Sequence, residues 1–192
     1  MDKLAISAKG PQLSPLIAGY WRLPQWGLSN EQLIRFIEQH VALGISTVDH
    51  AWIYQSEVLF GRALKQVPEL RSQLQIISKC GIKPPGDSPL HAQHTAHYDS
   101  RGKTIIASCE QSLRDLNTDH LDILLLHRPD YLMPAEQVAT AFNQLNSEGK
   151  VKHFGVSNFS AAQFEYLKSV VDVPLITNQI EFSPWQLSAL ES

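Results

Sequence analysis

The amino-acid sequence predicts an α/β protein of the (β/α)8 TIM-barrel type. Three observations carry this reading. Short apolar runs alternate with segments of helical periodicity along the whole chain, reactive polar residues stand at the ends of successive apolar runs, and no glycine-rich phosphate loop follows any of them. Alternation implies parallel strands with both sheet faces covered. Without a G-x-G-x-x-G or Walker A pattern, a dinucleotide-binding doubly wound sheet is disfavoured. Functional groups at many successive strand ends are how a barrel builds its site.

The first strand is Leu16–Tyr20 (LIAGY). Glu31–Leu43 carries Leu33, Ile34, Ile37, Val41 and Ala42 at helical spacing, with Ser29 or Asn30 as cap and Gly44 as stop. Ile45–Asp49 is the second strand, and the helix Ser56–Val67 stops at Pro68. Leu74–Lys79 is the third strand. The stretch Cys80–Arg101, with Pro84, Pro85, Gly86 and Pro89, reads as a long loop. A helix over Lys103–Leu116 leads to the strand Leu121–His127 (LDILLLH). Pro134–Glu148 is helical, since proline is acceptable in a first turn, and Gly149 ends it. The strand Lys152–Ser157, the helix Ala161–Val170 and the strand Leu175–Ile180 follow, and a last helix is expected near Trp185. Six strands are thus expected in a single domain spanning residues 1–192, against eight in a full barrel; the chain ends where a seventh unit would begin.

The composition, 43% hydrophobic and 18% charged, supplies a core. A net charge of −3 gives no basic footprint for nucleic acid. The start MDKLAISAKG has no apolar signal region, and no run approaches the length of a membrane span. Two cysteines, Cys80 and Cys109, do not make a disulfide framework; a reducing cytoplasm is expected. Cys80 follows Lys79 on a strand, so it should face the opposite side as a buried, inert thiol. The expected partner is a small molecule, with neither nucleic acid nor membrane involved. Oligomeric state has no signature in the sequence.

The chemistry gathers at four strand ends. Asp49 closes the second strand, Tyr54 follows five positions later, Lys79 closes the third strand and His127 the fourth. Each has a plain structural explanation when taken singly; together at equivalent strand ends they point to one pocket. A buried lysine needs a partner, and Asp49 is available. A phenol with an ordinary pKa near ~10 is a poor acid at neutral pH, and an ammonium beside it is expected to lower that value. An imidazole can orient a substrate carbonyl. Such a set protonates an oxyanion as it forms, as happens when hydride is delivered to a carbonyl carbon. No side chain donates hydride, so a cofactor is required.

Cofactor signals lie on later strands. Ser157, Asn158 and Gln179 offer donors and acceptors suited to a carboxamide, although Ser157 and Asn158 are equally suited to capping the next helix. Gly19, Tyr20 and Trp21 are placed to form a wall of the pocket. His91, His94 and His97 in the long loop raise a metal-hydrolase alternative, but Asp99 alone among the acids lies within two residues of one of them, so no metal is expected.

The motifs GYWRL, G-x-S-T-V-D-H-A-x-x-Y-x-x-E-x-x-x-G, ISKCG, T-D-H-L-D-I-L-L-L-H-R-P-D, G-K-V-K-H-F-G-V-S-N-F and T-N-Q-I-E-F-S-P, in this order from Leu16 onward, resemble the aldo-keto reductase family. The resemblance implies a barrel that binds NADPH (NADP+) in extended form and reduces aldehydes or ketones, with NADH as the other candidate donor. It implies Tyr54 as proton donor with Asp49, Lys79 and His127 completing the tetrad. Ser157, Asn158 and Gln179 match its carboxamide ligands, and Asp49 with Gly19–Trp21 match positions near the nicotinamide ribose and ring. His50 stands where Thr, Ser or Cys is usual, and Phe154 where a smaller aliphatic is usual. The family's last two βα units, its adenosine-phosphate contacts, the aromatic that stacks on nicotinamide and its C-terminal substrate loop have no counterpart in these residues. A non-catalytic nicotinamide-binding regulator and an inactive truncated reductase are the alternatives.

Overall fold

The computed structural model of the protein describes residues 2–85 and 95–187. A short antiparallel hairpin, β1 (Leu4–Ala5) and β2 (Gln12–Leu13), precedes the first strand of the main sheet, β3 (Ile17–Gly19). Helix α1 (Asn30–Ala42) starts at a capping box made by Ser29 and Gln32. Strand β4 (Thr47–Asp49) is followed by a 3-10 turn, Trp52–Tyr54, and by α2 (Ser56–Gln66). A short α3 (Glu69–Gln73) leads to β5 (Gln75–Cys80), and β6 (Ile82–Lys83) pairs with β7 (His97–Tyr98). Then come α4 (Gly102–Asp115), β8 (Leu121–Leu126), α5 (Ala135–Ser147), β9 (Val151–Ser157), α6 (Ala161–Val170) and β10 (Leu175–Gln179).

The main sheet has six parallel strands in the order β3-β4-β5-β8-β9-β10, which is chain order. A doubly wound sheet would reverse its strand order at a switch point; this one never does. The sheet also curls. Gln179 on the sixth strand donates Nε2–H to Asp49 Oδ2 on the second at 3.1 Å. Four strand spacings in a flat sheet would separate them by roughly 19 Å. The architecture is therefore a partial barrel of six parallel strands, as the sequence predicts, with five helical crossovers among the described residues.

Period-two alternation sorts the apolar strands onto two faces. On β8, Leu124 and Leu126 pack into the large core with Ile105, Phe142 and Phe154, while Ile123 and Leu125 face the concave side with Ile77 and Ile176. The N-terminal hairpin closes that concave side from below, because Leu13 joins the same inner cluster. Ser14 and Thr47 lock it there: each backbone N–H donates to the other's hydroxyl, at 3.1 and 3.0 Å. Asp122 ties the same end of the sheet, accepting from Ile76 N–H at 2.9 Å and pairing with Arg71 at 3.0 Å and Lys152 at 3.1 Å.

Four features depart from the sequence-based expectation. The hairpin β1–β2 was not predicted. The chain resumes helix as α3 directly after Pro68, which is tolerated at a helix start. The described ends of the 80–101 stretch pair as β6 and β7 instead of forming only loop. No helix begins at Trp185: residues 183–187 form a turn closed by a Ser183–Gln186 bridge, and the rest of that expected helix lies outside the described residues.

Gly61 sets the approach of α2 to the end of α4. A Cβ there would overlap the Asp115 carbonyl oxygen and lie 2.8 Å from Leu116 Cα, both backbone atoms. Alanine is the better helix former by about 1 kcal/mol, but overpacking against backbone costs ~1–3 kcal/mol or more. Gly61→Ala is therefore expected to destabilise the protein by on the order of 1–2 kcal/mol, read as a lower urea midpoint; an unchanged or raised midpoint would show that the two helices can separate freely.

Candidate active site

Each site residue is placed by the end of a main-sheet strand. Asp49 ends β4, and the chain then turns through the 3-10 segment Trp52–Tyr54. Gln55, left-handed at φ 58°, breaks that turn and opens α2. Tyr54 is thereby folded back over the strand ends. Lys79 lies near the end of β5 and His127 follows β8 directly. All four line one cavity of about 350 Å³ together with Gly19, Trp21, Arg128, Ser157, Asn158, Gln179, Ile180 and Glu181.

Lys79, 3% exposed, donates to Asp49 Oδ1 at 2.5 Å and to the His50 carbonyl at 3.0 Å. Burial pushes its pKa down, opposed by the Asp49 carboxylate. Tyr54 Oη and His127 Nε2 face each other at 3.2 Å. The Lys79 ammonium lies 5.2 Å from the centre of the Tyr54 ring. The expected lowering of the phenol's pKa does not occur. Burial, then the Asp49 charge, push Tyr54 up to about 12, and the cation that acts against them is Arg128. Lys79 is bonded to Asp49, so its field reaches the phenol largely cancelled. His127 is held at about 3 by burial and by the positive charges of Lys79 and Arg128, so it is a neutral imidazole at neutral pH.

Ser157 ends β9, and Asn158 follows it, left-handed at φ 59°. Asn158 Nδ2 donates to Ser157 Oγ at 2.9 Å, and its Oδ1 accepts from Glu181 N–H at 3.3 Å. Neither residue caps α6; Ser160 does, in a capping box with Gln163. That leaves Ser157 and Asn158 with the cavity as their surroundings.

Gly19 and Trp21 line the cavity, and Trp21 lies 6.0 Å from the Tyr54 ring. Tyr20 does not, which corrects its assignment to the pocket wall. It is fully buried in the outer core, stacked on His50 at 5.1 Å and hydrogen-bonded to His40 Nδ1 at 3.2 Å. Successive strand residues point to opposite faces, so the residue between Gly19 and Trp21 must face away. His50 is fully buried as well, bonded through Nδ1 to Ser56 Oγ at 3.0 Å. Cys80 occupies the outer core and its thiol pKa is raised by burial, as its strand position predicts.

Sequence reasoning missed Arg128 and Glu181. Arg128 had a signal, since it directly follows His127; the polar position of Glu181 depends on how the chain leaves β10. His91 and His94 lie outside the described residues. Among the described residues no group of three or more His, Cys, Asp or Glu could hold a metal ion.

The residues present fit a nicotinamide. A Cβ at Gly19 would meet nothing within 4 Å, so the first strand leaves open room beside the tetrad for a flat ring. Across the cavity, Ser157, Asn158 and Gln179 carry the mixed donors and acceptors that a carboxamide needs.

An α/β partial barrel with this tetrad at its strand ends defines a class, and comparison with known proteins identifies it. The aldo/keto reductase family model matches residues 15–191. The chain belongs to the aldo/keto reductase family. It is 50% identical to oxidoreductase YdhF of Escherichia coli over 96% of its own length and 62% of that protein, and 46% identical to the uncharacterized oxidoreductase YcsN of Bacillus subtilis over 94% and 61%. It is 41% identical to a 6-dehydroglucose reductase of Agrobacterium fabrum over 95% and 62%. Among solved structures, the glycerol dehydrogenase of Gluconobacter oxydans matches at a TM-score of 0.82 and 28% identity, over 99% of this chain and 58% of that one. The chain thus spans about three-fifths of the length of these curated relatives.

The neutral state of His127 has a consequence for acid stability. Its folded pKa near 3 lies below the ordinary 6.5, so its contribution is full above pH 6.5 and is lost as the pH falls toward 3. NMR of the imidazole nitrogens should show no titration of His127 above pH 5. In His127→Gln the fall of unfolding free energy between pH 6.5 and 3 should be shallower than in wild type. A midpoint near 6.5 would show that the imidazole is not desolvated.

Proposed function

We propose that the protein is an NADPH-dependent oxidoreductase that reduces aldehyde or ketone carbonyls, with Tyr54 as general acid. The single observation that carries this is the convergence of Tyr54, His127 and the Lys79–Asp49 pair on one cavity. The bound nicotinamide supplies the hydride, and everything else is the work of the chain's own residues. Ser157, Asn158 and Gln179 bind the carboxamide. Asp49 holds Gln179 through its second oxygen while its first holds Lys79. A carbonyl oxygen seated at Tyr54 Oη and His127 Nε2 is oriented by both.

A phenol titrating near 12 is fully protonated at neutral pH and is therefore always ready to donate. An alkoxide is a far stronger base than a phenolate, so the proton moves from Tyr54 only as the substrate oxygen gains charge. Arg128, the cation that acts on the phenol, stabilises the phenolate left behind. Donors already aimed at the developing charge need no reorganisation.

NADPH is preferred over NADH on the resemblance to the family. The name of the 41%-identical relative makes a sugar-derived aldehyde the first substrate class to test, beside simple aromatic aldehydes. Two free, buried thiols support a reducing compartment, the cytoplasm. No helix among the described residues is long and apolar enough to cross a membrane. We take residues 1–192 as one aldo/keto reductase domain carrying six βα units.

Oxidation of NADPH and NADH in the presence of aldehydes tests the reading directly. Tyr54→Phe removes the donor hydroxyl, so turnover should fall roughly 10²–10⁴-fold while cofactor binding, read by fluorescence, persists. Near wild-type turnover in that variant would remove Tyr54 from the role. In Lys79→Met, Asp49 loses its partner. Unpairing a buried charge costs ~3–5 kcal/mol, so both turnover and thermal stability should drop. Unchanged stability would mean that the pair is solvated.

A further inference from the structure

A second carboxylate stands behind the tetrad, and the mechanism above does not use it. Glu57, in the first turn of α2 three residues after Tyr54, is 1% exposed. Its Oε1 accepts from Ser78 Oγ at 2.5 Å. Ser112 of α4 lies against the same carboxylate, and Oε2 is left without a hydrogen bond of good geometry. A carboxylate sealed in this way is costly unless a positive charge offsets it.

Among the described residues Lys79 is the cation that acts on it most; Asp115 at the end of α4 repels it, and the Cys109 thiol faces it from α4. Ser78 and Lys79 are neighbours on β5 and point to opposite faces of the sheet. The strand therefore carries the Glu57 clamp on its outer face and the site's ammonium on its inner face. Lys79 in turn feels two carboxylates, Asp49 directly and Glu57 through the sheet.

We propose that Glu57 is a positioning residue of the reaction: it clamps Ser78, fixing where Lys79 points, and its negative charge holds Lys79 protonated so that Asp49 stays free to share itself with Gln179. This rests on the reductase reading, and it makes Lys79 a group held from both faces of one strand. Burial raises the Glu57 carboxyl to about 7, so the support is complete above neutrality and fades as the pH falls below it. The sign for stability is opposite to that of His127. With a folded pKa above its ordinary 4.5, Glu57 favours the folded state when protonated, and stability is lost as pH rises from 4.5 to 7.

Two variants separate charge from clamp. Glu57→Gln keeps an oxygen for Ser78 and removes the charge. Ser78→Ala keeps the charge and removes the clamp. Lys79 is followed by 13C NMR of its ε-carbon, assigned with Lys79→Met, which needs no turnover. A second-layer charge at an effective dielectric near 20 is worth on the order of one pKa unit. Glu57→Gln should therefore lower the Lys79 midpoint and the alkaline limb of kcat/KM by about one pH unit, with Tyr54→Phe as the inactive control. It should also abolish the loss of stability between pH 4.5 and 7. Ser78→Ala should leave the Lys79 midpoint in place and lower kcat instead.

An unmoved Lys79 midpoint in Glu57→Gln overturns the proposal and leaves Glu57 a structural anchor. A moved midpoint in a protein that reduces no carbonyl upholds the coupling and overturns the reductase reading instead. If Glu57→Gln does not fold, Glu57→Asp decides: it retains charge on a shorter stem, and must keep the Lys79 midpoint within a few tenths of a unit of wild type for the proposal to stand.

Discussion

The ion pair between Lys79 and Asp49 is the constraint around which the rest of the structure is arranged. Two charges removed from water cost several kcal/mol each unless geometry and further hydrogen bonds compensate. Here every polar atom of the pair is engaged: Lys79 reaches Asp49 and the His50 carbonyl, and Asp49 reaches Gln179 on the far side of the sheet. That last contact requires the sheet to be curled. A flat sheet would leave Asp49 half-paired and Gln179 unused, so the electrostatics of one pair and the curvature of six strands are a single requirement.

The concave side is divided by depth. Its lower part is apolar, with Ile77, Ile123, Leu125 and Ile176 under the cover of Leu13. Its upper part holds the polar cavity. The lower layer excludes water from beneath and so raises the cost of every unpaired charge above it. This is why Tyr54 and His127 are displaced in opposite directions, the phenol upward and the imidazole downward, each toward its neutral form. The Lys79–Asp49 pair lies in the buried part of the cavity, while Arg128 stands at its exposed rim.

Much of this was legible because buried parallel strands read as apolar runs. Their ends therefore stand out, and Asp49, Lys79 and His127 were all found that way. The six main strands and the helices between them fall within one or two residues of the expected limits. What escaped was either too short or lay on the other face. The strands of the N-terminal hairpin are two residues each and have no period to detect. Helix α3 was hidden behind Pro68, which is a stop signal and a start signal alike. Tyr20 was misplaced by treating Gly19–Trp21 as a block when strand alternation sends its middle residue into the helix layer. The electrostatics escaped for another reason. An ammonium was expected to acidify the phenol beside it, but sequence spacing cannot tell whether that charge is free or already bonded to a carboxylate.

That last error bears on how the site works. A phenol poised near neutrality would exist partly as phenolate, and the phenolate cannot donate. Tyr54 avoids this by being buried, at the cost of weaker acidity in the resting site. The acidity is needed only in the presence of an oxygen that is becoming an alkoxide, and at that moment Arg128 favours the phenolate that forms. Arg128 acts on the resting phenol too, but burial and the Asp49 charge outweigh it there. Asp49 draws on Lys79 most strongly, at 2.5 Å. The contact from β10 thus engages the second oxygen of Asp49 while the first holds Lys79, and the same hydrogen bond that records the curl of the sheet completes the pairing that keeps the ammonium's field from the phenol.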